Sequence, residues 1–210
     1  MSRYLGPSCR LCRREGMKLF LKGIKCTTPK CPVTKRNYFP GQHGGGTRRV
    51  KVSDYGLQLR EKQKLKRTYN LLERPFRHAF EIASRSKGVT GETLLQILER
   101  RLDNVVYRLG FAHSRKHARQ VVRHGFVRVN DRKVDLPAYL IRQGDRIEIH
   151  GREEVLQKFS EVRETVKDRE VPAWIQADPK QLKGVCLRLP EKSDLQMPVK
   201  EQLIVELYSK

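Results

Sequence analysis

The stretch SRKHARQVVRHGFVRVNDRKV, residues 114–134, predicts a short helix followed by a β-hairpin. Ser114 is a typical helix N-cap, and Gly125 ends the helical pattern in the way that glycine commonly does. Phe126–Val129 then alternates as a strand does, and Asn130-Asp131 tolerates the positive φ that a two-residue hairpin turn requires. We therefore expect a compact helix–strand–strand unit whose second strand returns at 132–134.

This unit is expected to have two faces. Arg115, Arg119 and Arg123 fall on one stripe of the helix, while its alanine and valines point the other way. No acidic residue lies between Ser114 and Asn130 to balance that stripe. Guanidinium groups suit bidentate contacts to phosphate and stacking on bases, so the pattern favours a nucleic-acid-binding surface. Short helices and the wide minor groove of A-form helices favour RNA, although charge alone leaves DNA open.

The charge of the whole chain supports a polyanionic partner. The 210 residues carry a formal net charge of +22, and residues 1–67 hold 18 lysines and arginines against 3 acids. So large a charge repels itself in a folded chain unless an anion neutralises it. An anionic membrane is a poor candidate because the basic helices lack an opposite face rich in Trp, Phe or Leu. An acidic protein is a further candidate partner.

Other features of the chain bound its class. No run approaches about 20 apolar residues, so no transmembrane helix is expected. The start has no secretory signal, and we expect the protein to stay in the compartment where it is made. Helices are predicted at 54–70, 73–87 and 90–109, and strands at 145–150, 185–189 and 202–208. Residues 1–50 and 174–184 are predicted to be irregular, and 152–170 fits either a helix or a charged linker. The fold class is therefore α+β.

Four cysteines near the start have the spacing of a metal site. Cys9, Cys12, Cys26 and Cys31 form C-x2-C and C-x4-C pairs, thirteen residues apart. Two such pairs can converge on one tetrahedral Zn²⁺, and four thiolates leave no open position, so we predict one structural zinc ion in a zinc knuckle. A four-sulfur iron–sulfur cluster and four free cysteines in a basic loop are the alternatives. Cys186 is isolated and is predicted to lie in the core.

Several motifs resemble one family in their order. These are RYLGPSCRLCRREG, FPGQHG, LREKQKLKR, RLDNVVYRLGFAHSRKHARQVVRHGFVRVN and EQLIVELYS. From Arg3 to the C-terminus they are similar to the fourth protein of the bacterial small ribosomal subunit; the glycine-rich stretch GQHGGGTRRVKVSDYG departs from that family. The resemblance implies a helical domain built from two chain segments, with a small α/β RNA-binding module inserted between them. It also implies zinc, because all four cysteines are kept.

The resemblance implies a function as well. The family binds small-subunit ribosomal RNA at a multi-helix junction in the five-prime domain and nucleates assembly of the subunit. It lies in the cytoplasmic ribosome beside other small-subunit proteins, near the messenger RNA entrance, and contributes to decoding accuracy. Some members repress their own messenger RNA.

The expected organisation and contacts follow from both lines of reasoning. The predicted domains are a zinc-binding segment at 1–45, a helical domain at 46–98 completed by about 196–210, and the RNA-binding module with its extension at 99–195. The predicted RNA contacts are Arg3, Arg10, Arg13, Arg14, Lys22, Arg36, Tyr38, Gln42, His43, Arg48, Arg49, Lys51, Lys62, Lys64, Lys66, Arg67, Ser114, Arg115, Lys116, Arg119, Arg123, His124, Arg128, Asn130, Arg132 and Lys133. His43 is equally well interpreted as an ordinary loop residue.

Two other classes of function share some of these features. The module resembles one found in tyrosyl-tRNA synthetases, a heat-shock RNA binder and pseudouridine synthases, and Asp103 in RRLDN is similar to the nucleophile motif of the synthases. Asp103 falls inside a strongly periodic helix, however, and the large catalytic domain is missing, so we do not expect an enzyme. A zinc-dependent DNA-binding regulator would need a duplex-reading helix and a dimer interface, and neither is evident.

Overall fold

A computed structural model describes residues 4–45, 52–178, 181–194 and 199–209. The chain divides into two compact units, residues 1–91 with 197–210, and residues 92–196. Helices and a small antiparallel sheet make the protein α+β, as predicted. No helix in these described ranges is both long and apolar enough to cross a membrane.

The N-terminal part of the first unit is more regular than the sequence predicted. It forms helix α1 (Ser8–Glu15), a short 3-10 helix (Gly23–Cys26) and one turn of helix, α2 (Pro32–Lys35). Gly16 ends α1 in the left-handed region, at φ 67°. Leu19 and Leu21 form a small buried cluster with Cys12. The prediction of irregular structure was wrong because α1 is largely polar, so it carries little apolar periodicity.

Three helices form the rest of this unit: α3 (Asp54–Thr68), α4 (Glu73–Arg85) and α9 (Glu201–Tyr208). The Ser53 hydroxyl caps α3 by accepting from the Gly56 N–H at 3.2 Å. In α4, Phe76 and Phe80 are buried, whereas Ile82 is exposed because it lies on the opposite side of the helix.

The last segment, 202–208, is helical and not the predicted strand. Its run of Leu, Ile and Val is typical of strands, but its neighbour is helix α3, which offers no edge for pairing. Ile204 and Tyr208, one turn apart, share a face of α9. Ile204 is fully buried, and Tyr208 stacks on Phe80 with ring centroids 4.5 Å apart. Gln58 of α3 donates to Glu206 at 2.8 Å.

The second unit begins with a helix that breaks where the sequence predicted continuity. Helix α5 (Thr90–Glu99) and helix α6 (Leu102–Arg108) are separated by Arg101, which is extended at φ −63° and ψ 135°. A later segment enters the break: the Leu102 N–H donates to the Tyr139 carbonyl at 2.8 Å, and the Ile141 N–H donates to the Arg100 carbonyl at 2.9 Å. The apolar periodicity of the sequence continues across residues 100 and 101, so it does not indicate the break.

The sheet of this unit has the strand order β2-β1-β3-β5-β4, with all pairs antiparallel. Its strands are β1 (Val127–Val129), β2 (Arg132–Lys133), β3 (Arg146–Ile149), β4 (Ile175–Asp178) and β5 (Lys183–Cys186). The prediction of irregular structure at 174–184 was wrong, because β4 and β5 pair there. The local sequence has little strand propensity, but pairing places Ile175 beside Cys186, and both are buried. Cys186 lies in the core, as predicted.

Two further elements complete the module. Helix α7 (Arg115–Arg123) precedes β1, and helix α8 (Glu153–Thr165) resolves the choice between helix and linker. Phe159 of α8 meets Phe126 edge to face, with ring centroids 6.0 Å apart. Asn130 and Asp131 have φ of 49° and 64°, which confirms the predicted two-residue turn.

Candidate RNA-binding face and cysteine cluster

Helix α7 has the two faces that the sequence predicted. The Ser114 hydroxyl caps it by accepting from the His117 N–H at 3.3 Å. Ala118, Val121 and Val122 are buried in the core of the module. The opposite side carries the basic residues, which continue onto the β1–β2 hairpin. We call this surface the basic face, and it consists of Arg115, Arg119, Arg123, His124, Arg128, Arg132 and Lys133.

The three arginines of the α7 stripe differ in how firmly other side chains hold them. Arg115 donates from Nε to the Asn104 Oδ1 at 2.8 Å, and its guanidinium lies 4.5 Å from the centre of the Tyr107 ring. The Arg119 side chain is 13% exposed and donates from Nη1 to the Asp103 Oδ2 at 3.3 Å. The Arg123 side chain is 58% exposed and lies 3.7 Å from an equally open carboxylate, that of Asp135. Arg115 and Arg119 are therefore held against α6, whereas Arg123 is open to solvent.

Helix α6 supplies the acceptors that the sequence analysis missed. The stretch from 114 to 130 holds no acid, but Asp103 and Asn104 reach α7 because α6 packs against it. Asp103 also accepts a bidentate pair from Arg101, at 3.1 and 2.8 Å. Asp103 and Asn104 are 5% and 2% exposed. In the sequence, the polar pair Asp-Asn within the apolar pattern of RRLDN is the signal that could have predicted these acceptors.

A second buried pair lies beside this one. Glu99, at the end of α5, accepts from Arg108 at 3.1 and 2.7 Å and from the Asn104 amide at 2.6 Å. All three residues are buried. A buried carboxylate with this many charge-assisted hydrogen bonds fixes the neighbouring side chains in place, and removing one partner is costly. Because Asn104 also accepts from Arg115, this buried pair is linked through Asn104 to α7.

The hairpin places the other cations of the basic face. Arg128 pairs across the strands with Lys133, and its Nη2 lies 3.0 Å from the His150 Nε2. Arg132 and Lys133 are exposed. Gly125 holds φ 76°, and a Cβ there would lie 2.2 Å from the Lys133 Cε. Gly125 thus lets the chain turn from α7 into β1 while the lysine crosses close above it.

Asn130, predicted to touch RNA, has an internal role in this structure. Its amide nitrogen donates to the Asp145 Oδ1 at 2.8 Å, and its amide oxygen accepts from the Arg146 N–H at 2.9 Å. Both hydrogen bonds tie the hairpin turn to the start of β3. The residue therefore shapes the end of the hairpin, whatever contacts it makes outside the chain.

The predicted basic helix of the first unit is extensively paired. Lys62 and Lys66 both donate to Glu73, each at 2.7 Å. Lys64 and Arg67 pair with Glu61 and Glu15, respectively. The Glu15 side chain is 2% exposed, and it also accepts from Arg60 at 3.4 Å. These cations contribute to the packing of the helical unit, and much of their charge is already met by carboxylates.

Two arginines of α1 hold the FPGQHG region in place. Arg13 donates to the carbonyls of Tyr38 and Phe39, at 3.0 and 3.2 Å, and lies 4.5 Å from the centre of the Tyr38 ring. Arg14 lies 5.2 Å from the centre of the Phe39 ring. Both rings are about half exposed. A cation–aromatic stack with an open ring is a surface on which a base can stack.

The remaining predicted contacts are distributed over both units. Those exposed are Arg10, Lys22, Arg36, Gln42, His43 and His124, and Lys116 is half-buried. Arg3, Arg48, Arg49 and Lys51 lie outside the described residues.

The four N-terminal cysteines lie on or beside three short helices. Cys9 and Cys12 lie on α1, Cys26 ends the 3-10 helix, and Cys31 is the N-cap of α2, which packs on α1. Three of them are buried, Cys9 is half-buried, and all are free thiols. Burial raises the pKa of the Cys12 thiol, and the other three cysteines raise it further. Over the described ranges, no set of three His, Cys, Asp or Glu side chains has the arrangement of a metal site.

Comparisons with known proteins match this architecture. The family described as the ribosomal protein S4/S9 N-terminal domain matches residues 3–99, and the S4 domain matches residues 100–147. Small ribosomal subunit protein uS4 of Thermodesulfovibrio yellowstonii is 56% identical over 210 residues, covering 100% of both chains. Protein uS4A of Symbiobacterium thermophilum is 55% identical, and uS4 of Geobacter sp. is 56% identical, each again over both full lengths. The resemblance found in the sequence motifs is confirmed, and the chain belongs to the uS4 family of small ribosomal subunit proteins.

Proposed function

We propose that this chain is a structural protein of the small ribosomal subunit that binds small-subunit ribosomal RNA directly, at a multi-helix junction. The observation that carries the proposal is the basic face, a cationic surface built on a rigid, apolar-backed module. The relatives are small ribosomal subunit proteins by name, which supports a place in the cytoplasmic ribosome. The proposal assigns no catalytic role, and the Asp103 carboxylate is already held by two guanidinium groups.

Electrostatic attraction drives RNA binding by this chain, and the positions of its cations and aromatic rings select the shape of the RNA. Each phosphate that a lysine or arginine neutralises releases condensed counterions, so affinity falls with salt. The first unit offers the open Tyr38 and Phe39 rings, and the second offers the basic face. Two separate surfaces on one chain can hold two arms of the same RNA. Binding early at a junction in this way would nucleate assembly of the subunit.

The four cysteines are proposed to hold one structural zinc ion. The donor chemistry suits zinc, because Cys9, Cys12, Cys26 and Cys31 are free thiols on neighbouring short helices, but their side chains do not have the arrangement of a metal site in this structure. Zinc held by four thiolates would supply a tetrahedral cross-link without an open coordination position. Besides the cysteines, the described part of this segment has a small apolar cluster around Leu19 and Leu21. An iron–sulfur cluster would use the same donors, and metal analysis with absorbance spectroscopy distinguishes the two.

The family resemblance extends the proposal to the finished subunit. There the chain would adjoin other small-subunit proteins near the messenger RNA entrance and contribute to decoding accuracy. Repression of its own messenger RNA would use the same RNA-binding surfaces on a message that imitates the ribosomal junction. These roles rest on family membership rather than on any particular contact in the chain.

Direct binding tests the proposal. The full chain would be titrated with a five-prime-domain fragment of small-subunit ribosomal RNA, and with an unrelated structured RNA of equal length, at two salt concentrations. We expect the cognate fragment to keep a large advantage at the higher salt, since shape recognition outlasts screening. Equal affinities that collapse together with salt would identify a nonspecific polycation and contradict the proposal.

A further inference from the structure

We propose that Asp103 and Asn104 are positioning residues for RNA binding, which hold Arg119 and Arg115 of α7 in the orientation that meets RNA phosphates. This inference rests on the proposed function and adds to it. It assigns a role in polyanion binding to a buried acid and a neutral amide, neither of which would be expected to touch RNA.

Each of the two acceptors bonds to a different arginine of α7. Asp103 and Asn104 are neighbours in the first turn of α6, and Arg115 and Arg119 lie one turn apart on α7. Asn104 accepts from the Arg115 Nε, and Asp103 accepts from the Arg119 Nη1, so each acceptor holds one guanidinium. The Tyr107 ring, also on α6, lies under the Arg115 guanidinium. Each planar group is therefore fixed in orientation.

The acceptors are themselves immobilised. Arg101 holds the Asp103 carboxylate by two hydrogen bonds, and the Asn104 amide donates to Glu99, both at its backbone carbonyl and at its carboxylate. These side chains are all at least 90% buried. A flexible arginine loses rotamer entropy when it binds a phosphate, and holding it in advance removes part of that cost.

The sign of the effect separates positioning from simple charge. Asp103 is an anion on the side of the module that carries the basic face. If it acted only through its charge, removing that charge would strengthen binding to a polyanion. If it positions Arg119, the Asp103→Asn variant should bind the cognate RNA fragment more weakly, by about tenfold. Asp135→Asn is the matched control, because Asp135 is an exposed acid that faces Arg123 of the same stripe. That variant should bind as tightly as wild type or slightly more tightly.

A double-mutant cycle identifies the residue through which Asp103 acts. Asp103→Asn, Arg119→Gln and the double variant would be titrated with the same RNA at one salt concentration. We expect the double variant to bind no more weakly than Arg119→Gln alone, because the proposed effect of Asp103 is exerted through that arginine. If the binding free energies lost in the two single variants add fully in the double variant, the inference is overturned. It is also overturned if Asp103→Asn binds as tightly as wild type while the wild type remains specific for the cognate RNA. A wild type without specificity would instead refute the proposed function.

Folding must be checked, since Asp103→Asn leaves the buried Arg101 without its carboxylate. If that variant fails to fold, Arg119→Lys provides the test. The lysine keeps the charge but has no planar fork for Asp103 to orient. Positioning predicts weaker binding with an unchanged slope of log affinity against log salt. Unchanged affinity would mean that only the charge at 119 matters, and the inference would fail.

Discussion

Glu73 should stabilise the first unit in a pH-dependent way. It accepts from Lys62 and Lys66, each at 2.7 Å, and from the Tyr208 hydroxyl at 2.9 Å, so it ties α9 to α3 and α4. Burial acts to raise the pKa of Glu73, but these three hydrogen bonds outweigh burial and lower the pKa from 4.5 to about 2. The ionised carboxylate is therefore favoured by the folded state.

The shift sets the size of the effect. Taken in full it corresponds to about 3 kcal/mol, at about 1.4 kcal/mol for each pKa unit. The side chain is 47% exposed, so solvent screening reduces the stabilisation to about 1–2 kcal/mol. Because the folded pKa is the lower one, this stability is present above pH 4.5 and is lost as the pH falls towards 2. Glu73→Gln should therefore destabilise the unit at neutral pH by about that amount, and the difference should disappear in acid.

Amide hydrogen exchange of α9 measures this locally. A loss of about 1.4 kcal/mol speeds exchange through opening about tenfold. Fluorescence of Trp174, the single tryptophan, reports on the second unit and should not change. Glu81→Gln is the matched control, since Glu81 lies on the same helix, is also 47% exposed and pairs only with exposed partners, Arg77 and His78. Equal exchange in the two variants at neutral pH, or a difference that persists unchanged at pH 2, would refute the reasoning.

The other predictions concern the metal and the hairpin. Chelation under reducing conditions should release about one zinc ion per chain and speed amide hydrogen exchange across residues 8–35; unchanged exchange after complete metal removal would contradict this. Cys26→Ser should lower the zinc content, whereas Cys186→Ser should not. Gly125→Ala and Gly144→Ala should each cost about 1–2 kcal/mol, because both glycines have positive φ. Only the former places a Cβ against Lys133, so only that variant should also weaken RNA binding; equal RNA affinities in the two variants would show that Lys133 makes no contribution.

Local signals in the sequence were sufficient where short-range chemistry decides the conformation. The Ser114 cap and the Asn130-Asp131 turn are confirmed, because a hydroxyl acceptor and tolerance of positive φ act within a few residues. The α7 face was predicted because helical spacing alone separates its apolar and basic sides. The buried position of Cys186 followed from its apolar neighbours in the same way.

Several of the failures have a common cause in contacts distant along the chain. The break at Arg101 depends on a segment near Tyr139, and the helical state of 202–208 depends on α3. The same holds for charge. Lys62 and Arg67 of the first unit were assigned to RNA from the local density of charge, but Glu73 and Glu15 reach them only in the folded chain. A charge run can be assessed as a surface only after its partners from other elements are known.

The central claim is that the basic face binds RNA, and its exposed cations allow the most direct test. Arg123, Arg132 and Lys133 would be changed together to Gln, and the slope of log affinity against log salt would be measured on the cognate RNA fragment. The control would carry Arg152→Gln, Lys158→Gln and Lys167→Gln, which remove the same charge from exposed positions in and around α8. The account predicts that the slope flattens by about 2–3 for the first variant and much less for the control. Equal slopes in the two variants would mean that RNA senses only the net charge, and would contradict the claim.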